Sequence, residues 1–246
     1  MRLDLSTWQE VEHYLGERDG IFLPTGSIEQ HGPIGLIGTD SLCAQDIATG
    51  AGELTGALVA PTIQYTPAPF NMSFPGTVSL SAETFGHVVG EVVDGLMHHG
   101  FRHIYVLNGH GANLEPLRNA LADKADCCRI KSWWDFAPVN VLRREWYGDW
   151  EGMHATPSEV AITQARHRVV IHEMLDPPEQ LSAAYMAEHA GDRHGPADEH
   201  RARFPDGRVG SHSSLATPEQ GRELYETACQ AVAEDFAEFV AGQPAS

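Results

Sequence analysis

Short apolar runs alternate along this chain with amphipathic stretches of ten or more residues, and that alternation limits the folds open to it. Ile21–Pro24, Ala57–Ile63, Ile104–Leu107 and Cys127–Trp134 read as buried strands. Between and after them, Asp40–Leu54, Ser81–His98, Asn113–Ala125, Thr156–Arg166 and Thr217–Val240 read as helices. A first helix is capped by Ser6 or Thr7, with Glu10 placed to return the hydrogen bond and Trp8, Val11 and Leu15 as its apolar stripe. Ser81 caps another, with Glu83 and Glu91 outward and Val88, Val92 and Leu96 inward. Strands separated by helices of this length imply an α/β fold with a mostly parallel sheet covered on both faces. No internal repeat or linker interrupts the pattern, so residues 1–246 are expected to form a single domain. The segment Gly191–Ser213, rich in Gly, His, Arg and Pro, is expected to be a long loop or an oligomer contact.

Open sheets of this kind place their ligands beyond the carboxyl ends of the strands, and polar knots occupy those positions here. Gly26-Ser27-Ile28-Glu29-Gln30-His31-Gly32, followed by Gly38-Thr39-Asp40, comes after the first apolar run. Asn108-Gly109-His110-Gly111-Ala112-Asn113 comes after the third, and Phe74–Thr77 and His154–Glu159 lie at the ends of other segments. Carboxylates mixed with imidazoles are what hard and borderline divalent cations bind. Glu29, His31, Asp40, His110 and Glu159 are therefore read as one metal site assembled from distant pieces of sequence.

Each residue also has a plainer reading. Asp40 opens a helix and can cap it, His110 can be a hydrogen-bonded side chain in a glycine turn, and Glu159 can face a helix dipole. Asn113 is placed to cap the next helix and orient the loop. Trp133 and Trp134 read as core. His87, His98, His99, His103, His167 and His172 are given no role.

Composition excludes several partners. Lys plus Arg total 16 against 34 acidic residues, a net charge of −18 with His neutral, which repels phosphate backbones, so nucleic acid is not expected. Cys43, Cys127, Cys128 and Cys229 form no Cys-x-x-Cys pair and suggest a reducing compartment. No segment approaches a membrane span and Met1–Ser6 lacks a signal-peptide apolar core, so a soluble cytoplasmic protein is expected.

Taken in order, Gly-Ser-x-Glu-Gln-His-Gly-Pro, Gly-Thr-Asp, Phe-Pro-Gly-Thr-x-Ser-Leu, Asn-Gly-His-Gly-x-Asn and Ala-Thr-Pro-Glu-Gln-Gly resemble the creatininase (creatinine amidohydrolase) family from about Leu23 to the final helix. The resemblance implies a three-layer α/β/α sandwich and metal-dependent hydrolysis of a non-peptide C–N bond in a small-molecule amide, lactam or formamide. It also implies a homo-oligomer, often a hexamer, and two divalent ions, zinc or manganese with iron as a further option. By carry-over, one ion takes Glu29, Asp40 and His110, and the second takes His31 and Asp40. The family's further glutamate, two residues after the third-strand histidine, is Ala112 here, and Glu159 is the candidate replacement. Gly210-Ser211-His212 and Ala68–Ser73 also depart from the pattern, where substrate is chosen. His154, a group suited to titrate near neutrality, is read as the proton shuttle to the leaving nitrogen, and Glu159 as catalytic besides its ligand role. Trp150 and Glu151 stand at the spacing of the family's substrate-pocket residues, and Thr77 is also read as substrate-binding. The competing readings are a non-catalytic metal- or metabolite-binding protein, a peptidase acting on a modified peptide terminus, and a metallophosphatase.

Overall fold

The computed structural model describes residues 1–170 and 175–242. His172 lies outside the described residues. Four parallel strands form one sheet: β1 Gly20–Thr25, β2 Leu58–Val59, β3 His103–Asn108 and β4 Cys128–Ser132, in the order β2-β1-β3-β4. The second and fourth strands are shorter than expected. Pro61, which has no N–H to give, follows β2, and pairing returns only as a single Thr25–Ile63 bridge. β4 stops where the Ser132 N–H turns away to the Asp135 carboxylate at 2.8 Å, so Trp133 and Trp134 sit in a turn rather than on a strand.

Nine α-helices lie among the described residues: α1 Trp8–Leu15, α2 Thr39–Thr55, α3 Ala82–His98, α4 Leu114–Ala120, α5 Ala137–Trp146, α6 Pro157–Arg166, α7 Ala183–Glu188, α8 Ala197–Arg203 and α9 Pro218–Val240. α4 is shorter than expected, ending at Ala120. α5, α7 and α8 were not anticipated, and α8 falls inside the segment read as a long loop.

Alternation along β1 separates the two cores. Ile21 and Leu23 face Tyr14 of α1, Phe85, Val89 and Val93 of α3 and Leu117 of α4. Phe22 faces the other layer, with Ile47 of α2, Ile162 of α6, and Val232 and Phe236 of α9. Its ring lies 4.3 Å from that of Phe236 and 5.3 Å from that of Tyr105, centroid to centroid. Helices on both faces of a parallel sheet make the α/β/α sandwich, and each buried large apolar side chain contributes about 1.5–3 kcal/mol.

The helix starts follow their sequence signals, with Thr7 rather than Ser6 completing a capping box with Glu10 and Ser81 capping α3. Two apolar stripes differ from expectation. α3 buries Phe85, Val89, Val93 and Leu96, leaving Val88 exposed, because the stripe starts from Phe85. Trp8, at the first position of α1, points away from the core and is exposed. No helix among the described residues is long and apolar enough to cross a membrane.

Candidate metal centre

The ends of β1 and β3 deliver two loops to the amino-terminal ends of α2 and α6. The turn after β1 carries Glu29 and His31, and the turn after β3 carries His110. Asp40 lies in the first turn of α2, and Glu159 in that of α6. All five are buried. The β3 turn passes so close to α2 that a Cβ on Gly109 would overlap the Asp40 carbonyl oxygen. Asp40 does not cap its helix; its Oδ1 lies 2.8 Å from His31 Nε2 and its Oδ2 2.9 Å from His110 Nδ1. Glu29 Oε1 lies 3.1 Å from His110 Nδ1, and Glu159 Oε1 lies 3.8 Å from His31 Nε2.

Two trios thus share Asp40. The ligand atoms of Glu29, Asp40 and His110 lie within 4.8 Å of one another, and so do those of His31, Asp40 and Glu159. A third grouping on the same measure joins Glu29 and His31 to His154.

The imidazoles are aimed from behind. His110 Nε2 donates to the Pro67 carbonyl at 2.7 Å, His31 Nδ1 to the Glu29 carbonyl at 3.1 Å, and His154 Nε2 to the Gln30 carbonyl at 2.7 Å. With those nitrogens protonated, the opposite nitrogen of each ring points into the centre, where it would ligate a cation once free of its own proton, as metal-binding histidines do. The carboxylates are held in the same way. Asn71 Nδ2 donates to Glu29 Oε2 at 2.8 Å, and Ser27 Oγ donates to Asp40 Oδ2 at 2.8 Å. Asn113 departs from expectation: it makes no cap, and its amide instead ties Gly26 O, at 3.0 Å, to Asn108 Oδ1, at 3.2 Å.

Charge is concentrated where water is absent. Burial alone disfavours the charge on His31, but Asp40 outweighs it and raises the imidazole to about 10. His110 is raised well above its usual range against the same burial, by Glu29 and Asp40. Burial, with Asp40 nearby, pushes Glu159 up to about 8, although His31 pulls the other way. Glu29 Oε1 is buried without a hydrogen-bond partner among the described residues. Imidazole nitrogens converging on carboxylate oxygens, one of which has no hydrogen-bond partner, fit divalent cations bound by mixed nitrogen and oxygen ligands.

The family model for creatininase, creatinine amidohydrolase, matches residues 4–236. The chain belongs to the creatininase family. It is 28% identical over 255 residues to the creatinine amidohydrolase of Pseudomonas putida, covering 94% of each chain. Over 106 residues it is 35% identical to a 3-dehydro-scyllo-inosose hydrolase of Thermotoga maritima, covering 43% of this chain and 34% of that one. A mycofactocin precursor peptide peptidase of Mycobacterium ulcerans matches at 36% over 110 residues, 41% of this chain and 44% of its own. Among solved structures, a manganese creatininase superposes with a TM-score of 0.73 at 25% identity, covering 97% of this chain and 98% of that one. A Zn–Zn mutant creatininase gives 0.72 at 25%, with the same coverage.

In this member of the creatininase family the centre opens into a cavity of about 300 Å³. Its lining includes Asp40, His110, His154 and Glu159, together with Trp133, Trp134, Arg143 and Asp192. The expected substrate residues lie elsewhere. Trp150 packs edge-on against His212, ring centroids 5.5 Å apart. Glu151 is engaged by Arg143 Nε at 2.9 Å and by the Ser158 hydroxyl. Thr77 Oγ1 accepts the Gln30 N–H at 3.1 Å and so braces the turn that carries Glu29.

His154 does line the cavity, but burial holds it down to about 4, against the pull of Glu29, so it is a neutral base rather than a group titrating near neutrality. Trp133 is core, as read from sequence, and also cavity wall. Asn71, Arg143 and Asp192 were missed. Asn71 stands in the Ala68–Ser73 departure, which was a signal of position but not of role. Asp192 lies in the segment read as a loop, with Oδ2 3.8 Å from His110 Nδ1.

Proposed function

We propose that this chain is a metal-dependent amidohydrolase that cleaves a non-peptide C–N bond in a small amide, lactam or formamide. The supporting observation is the shared carboxylate of Asp40, with one oxygen turned to His31 and the other to His110. Glu29, Asp40 and His110 would hold one cation, and His31, Asp40 and Glu159 would hold the other. Zinc and manganese suit this donor set, and iron is accommodated by the same chemistry. Bound divalent cations would supply Lewis acidity, enough to bring the pKa of a water from 15.7 toward about 7 and to polarise a carbonyl.

The chain's own groups do the remaining work. His154 is held by the Gln30 carbonyl with its Nδ1 toward Glu29 Oε1, 3.8 Å away. That free nitrogen takes a proton from the attacking water, whose oxygen bonds to the carbonyl carbon, and returns it to the leaving nitrogen, so the C–N bond breaks to an amine and a carboxylate. Asn71 and Ser27 fix the two carboxylates so that the ligands need no rearrangement on binding. A cavity of about 300 Å³ suits small substrates.

Metal analysis of the purified chain, followed by turnover of amide, formamide and phosphate-ester panels with added Zn²⁺, Mn²⁺ or Fe²⁺, tests this reading. Retained metal with amide or formamide hydrolysis is the expected result. A chain that binds no divalent ion, or that hydrolyses only the phosphate esters, ends it.

A further inference from the structure

Two residues that line the cavity beside the centre, Arg143 and Trp133, each keep a hydrogen-bond donor with no acceptor among the described residues. Arg143, near the carboxyl end of α5, is held at two of its three nitrogens: its Nε donates to Glu151 at 2.9 Å and its Nη1 to Asn140 at 2.8 Å. Its Nη2 has no partner among the described residues. The guanidinium stands over the Trp133 ring, 5.7 Å from the centroid. Trp133, only 1% exposed, holds a buried Nε1–H with no acceptor. A buried donor left unpaired costs about 1–3 kcal/mol, so it signals a missing partner.

Charge narrows what that partner is. Arg143 is the only Lys or Arg in the cavity lining, and the acidic groups there, Asp40, Glu159 and Asp192, lie in or beside the metal trios. The wall at Arg143 thus holds a planar cation, paired with Glu151 through Nε but with Nη2 free and standing over the Trp133 ring, which matches a carboxylate. The tryptophan faces receive a planar or apolar body between that carboxylate and the scissile bond. A volume of about 300 Å³ equals that of about ten waters in the liquid, which suits a compact ligand.

We propose that the substrate is a small amide whose non-reacting end carries a carboxylate, received by Arg143 Nη2 and Trp133 Nε1–H. This rests on the amidohydrolase reading for the reaction, but the binding it describes is separately measurable.

The probes are 4-oxopentanoate and 5-methylhexan-2-one, ketones with a methylene in place of the amide nitrogen, equal in heavy atoms, without a hydrolysable bond and differing in the carboxylate. Calorimetric titration into the zinc-loaded chain is expected to show 4-oxopentanoate binding about 10- to 100-fold more tightly, the size of a hydrogen bond to a charged group. Arg143→Met is expected to remove most of that ratio. Arg143→Lys, which keeps the charge near Glu151 and loses the fork, and Trp133→Phe, which keeps the ring and loses only the N–H, are each expected to lower it several-fold. Equal binding of the two probes by the wild-type chain overturns the proposal. So does an unchanged ratio in both Arg143→Lys and Trp133→Phe, provided each melts as the wild type does. Zinc stoichiometry measured in the same samples judges the metal reading on its own, since the ratio is read from binding without turnover.

Discussion

Asp40 reaches two imidazoles at once: Oδ1 lies 2.8 Å from His31 Nε2, and Oδ2 lies 2.9 Å from His110 Nδ1. A carboxylate shared in this way belongs to both ligand trios, so its loss cannot be confined to one ion. Asp40→Ala is expected to reduce bound zinc or manganese from the wild-type level to trace and to abolish hydrolysis, as read by elemental analysis after dialysis. A variant that keeps its full metal content would show that Asp40 bridges nothing.

Protons occupy the metal-free centre at pH 7. Asp40 raises His31 to about 10 despite burial, and burial raises Glu159 to about 8, so both are protonated there. A cation takes deprotonated ligands, so its entry expels those protons. The apparent affinity is therefore expected to rise with pH through 8, as Glu159 ionises, and to keep rising toward 10. Titration calorimetry in two buffers of different ionisation heat counts the protons released. A count of zero at pH 7 contradicts the assignment of His31 and Glu159.

The alternation of apolar runs and helical patterns carried the layer order, because burial on both faces of a parallel sheet leaves its mark directly in composition. The positions of Glu29, His31, Asp40 and His110 were legible for a related reason: glycine-flanked polar knots directly after buried strands have few other uses. Asn71, Arg143 and Asp192 were not legible. Asn71 meets Glu29 across 42 residues and Asp192 meets His110 from a distant segment, so nothing local marks either, while Arg143 meets mainly its own neighbourhood and reads as an ordinary basic residue of a helix. α7 and α8 escaped detection because they are short and bury little, with His200 the only buried residue of α8 and none in α7. The misassigned stripe of α3 shows a different limit, since Val88 and Val89 are chemically identical and only packing from Phe85 selects between them.

His154 tests whether proton transfer is separable from metal binding. It is a neutral base, lowered to about 4 by burial, and its Nε2 is committed to the Gln30 carbonyl. His154→Gln is expected to lower kcat by roughly 10²–10⁴, with zinc content unchanged. Loss of an ion in step with activity would make His154 a ligand, joined to Glu29 and His31, instead of a shuttle.

Asn71 touches no expected ligand atom other than Glu29, yet it fixes that carboxylate through a 2.8 Å bond to Oε2. Groups that orient ligands from behind typically change metal affinity by about 10–100-fold. Asn71→Ala is expected to weaken metal binding by that amount. It should also lower the melting temperature of the metal-free chain by a few degrees, because buried Glu29 Oε2 loses its donor, although Gln30 Nε2 retains the Gly207 carbonyl at 2.9 Å. Chelator competition monitored by metal release gives the affinity, and equal release rates for variant and wild type would remove Asn71 from the centre.

Gly111 and Asp192 are packed so closely that a Cβ on the glycine would overlap the carboxylate. Asp192 is also held at φ 56°, in the left-handed region, where a residue with a side chain costs about 1–3 kcal/mol unless its surroundings fix it. Gly111→Ala is therefore expected to expel Asp192 from its place beside His110 and to let the backbone relax, opening the turn through the exposed Arg193. Trypsin should then cut after Arg193 at least several-fold faster than in the wild type, with the cleavage site read by mass spectrometry. Adding Asp192→Gly to that variant removes the carboxylate and supplies a residue at ease with positive φ, so protection should return. Equal cleavage rates in wild type and Gly111→Ala would mean that the turn is held by contacts other than the one between Gly111 and Asp192.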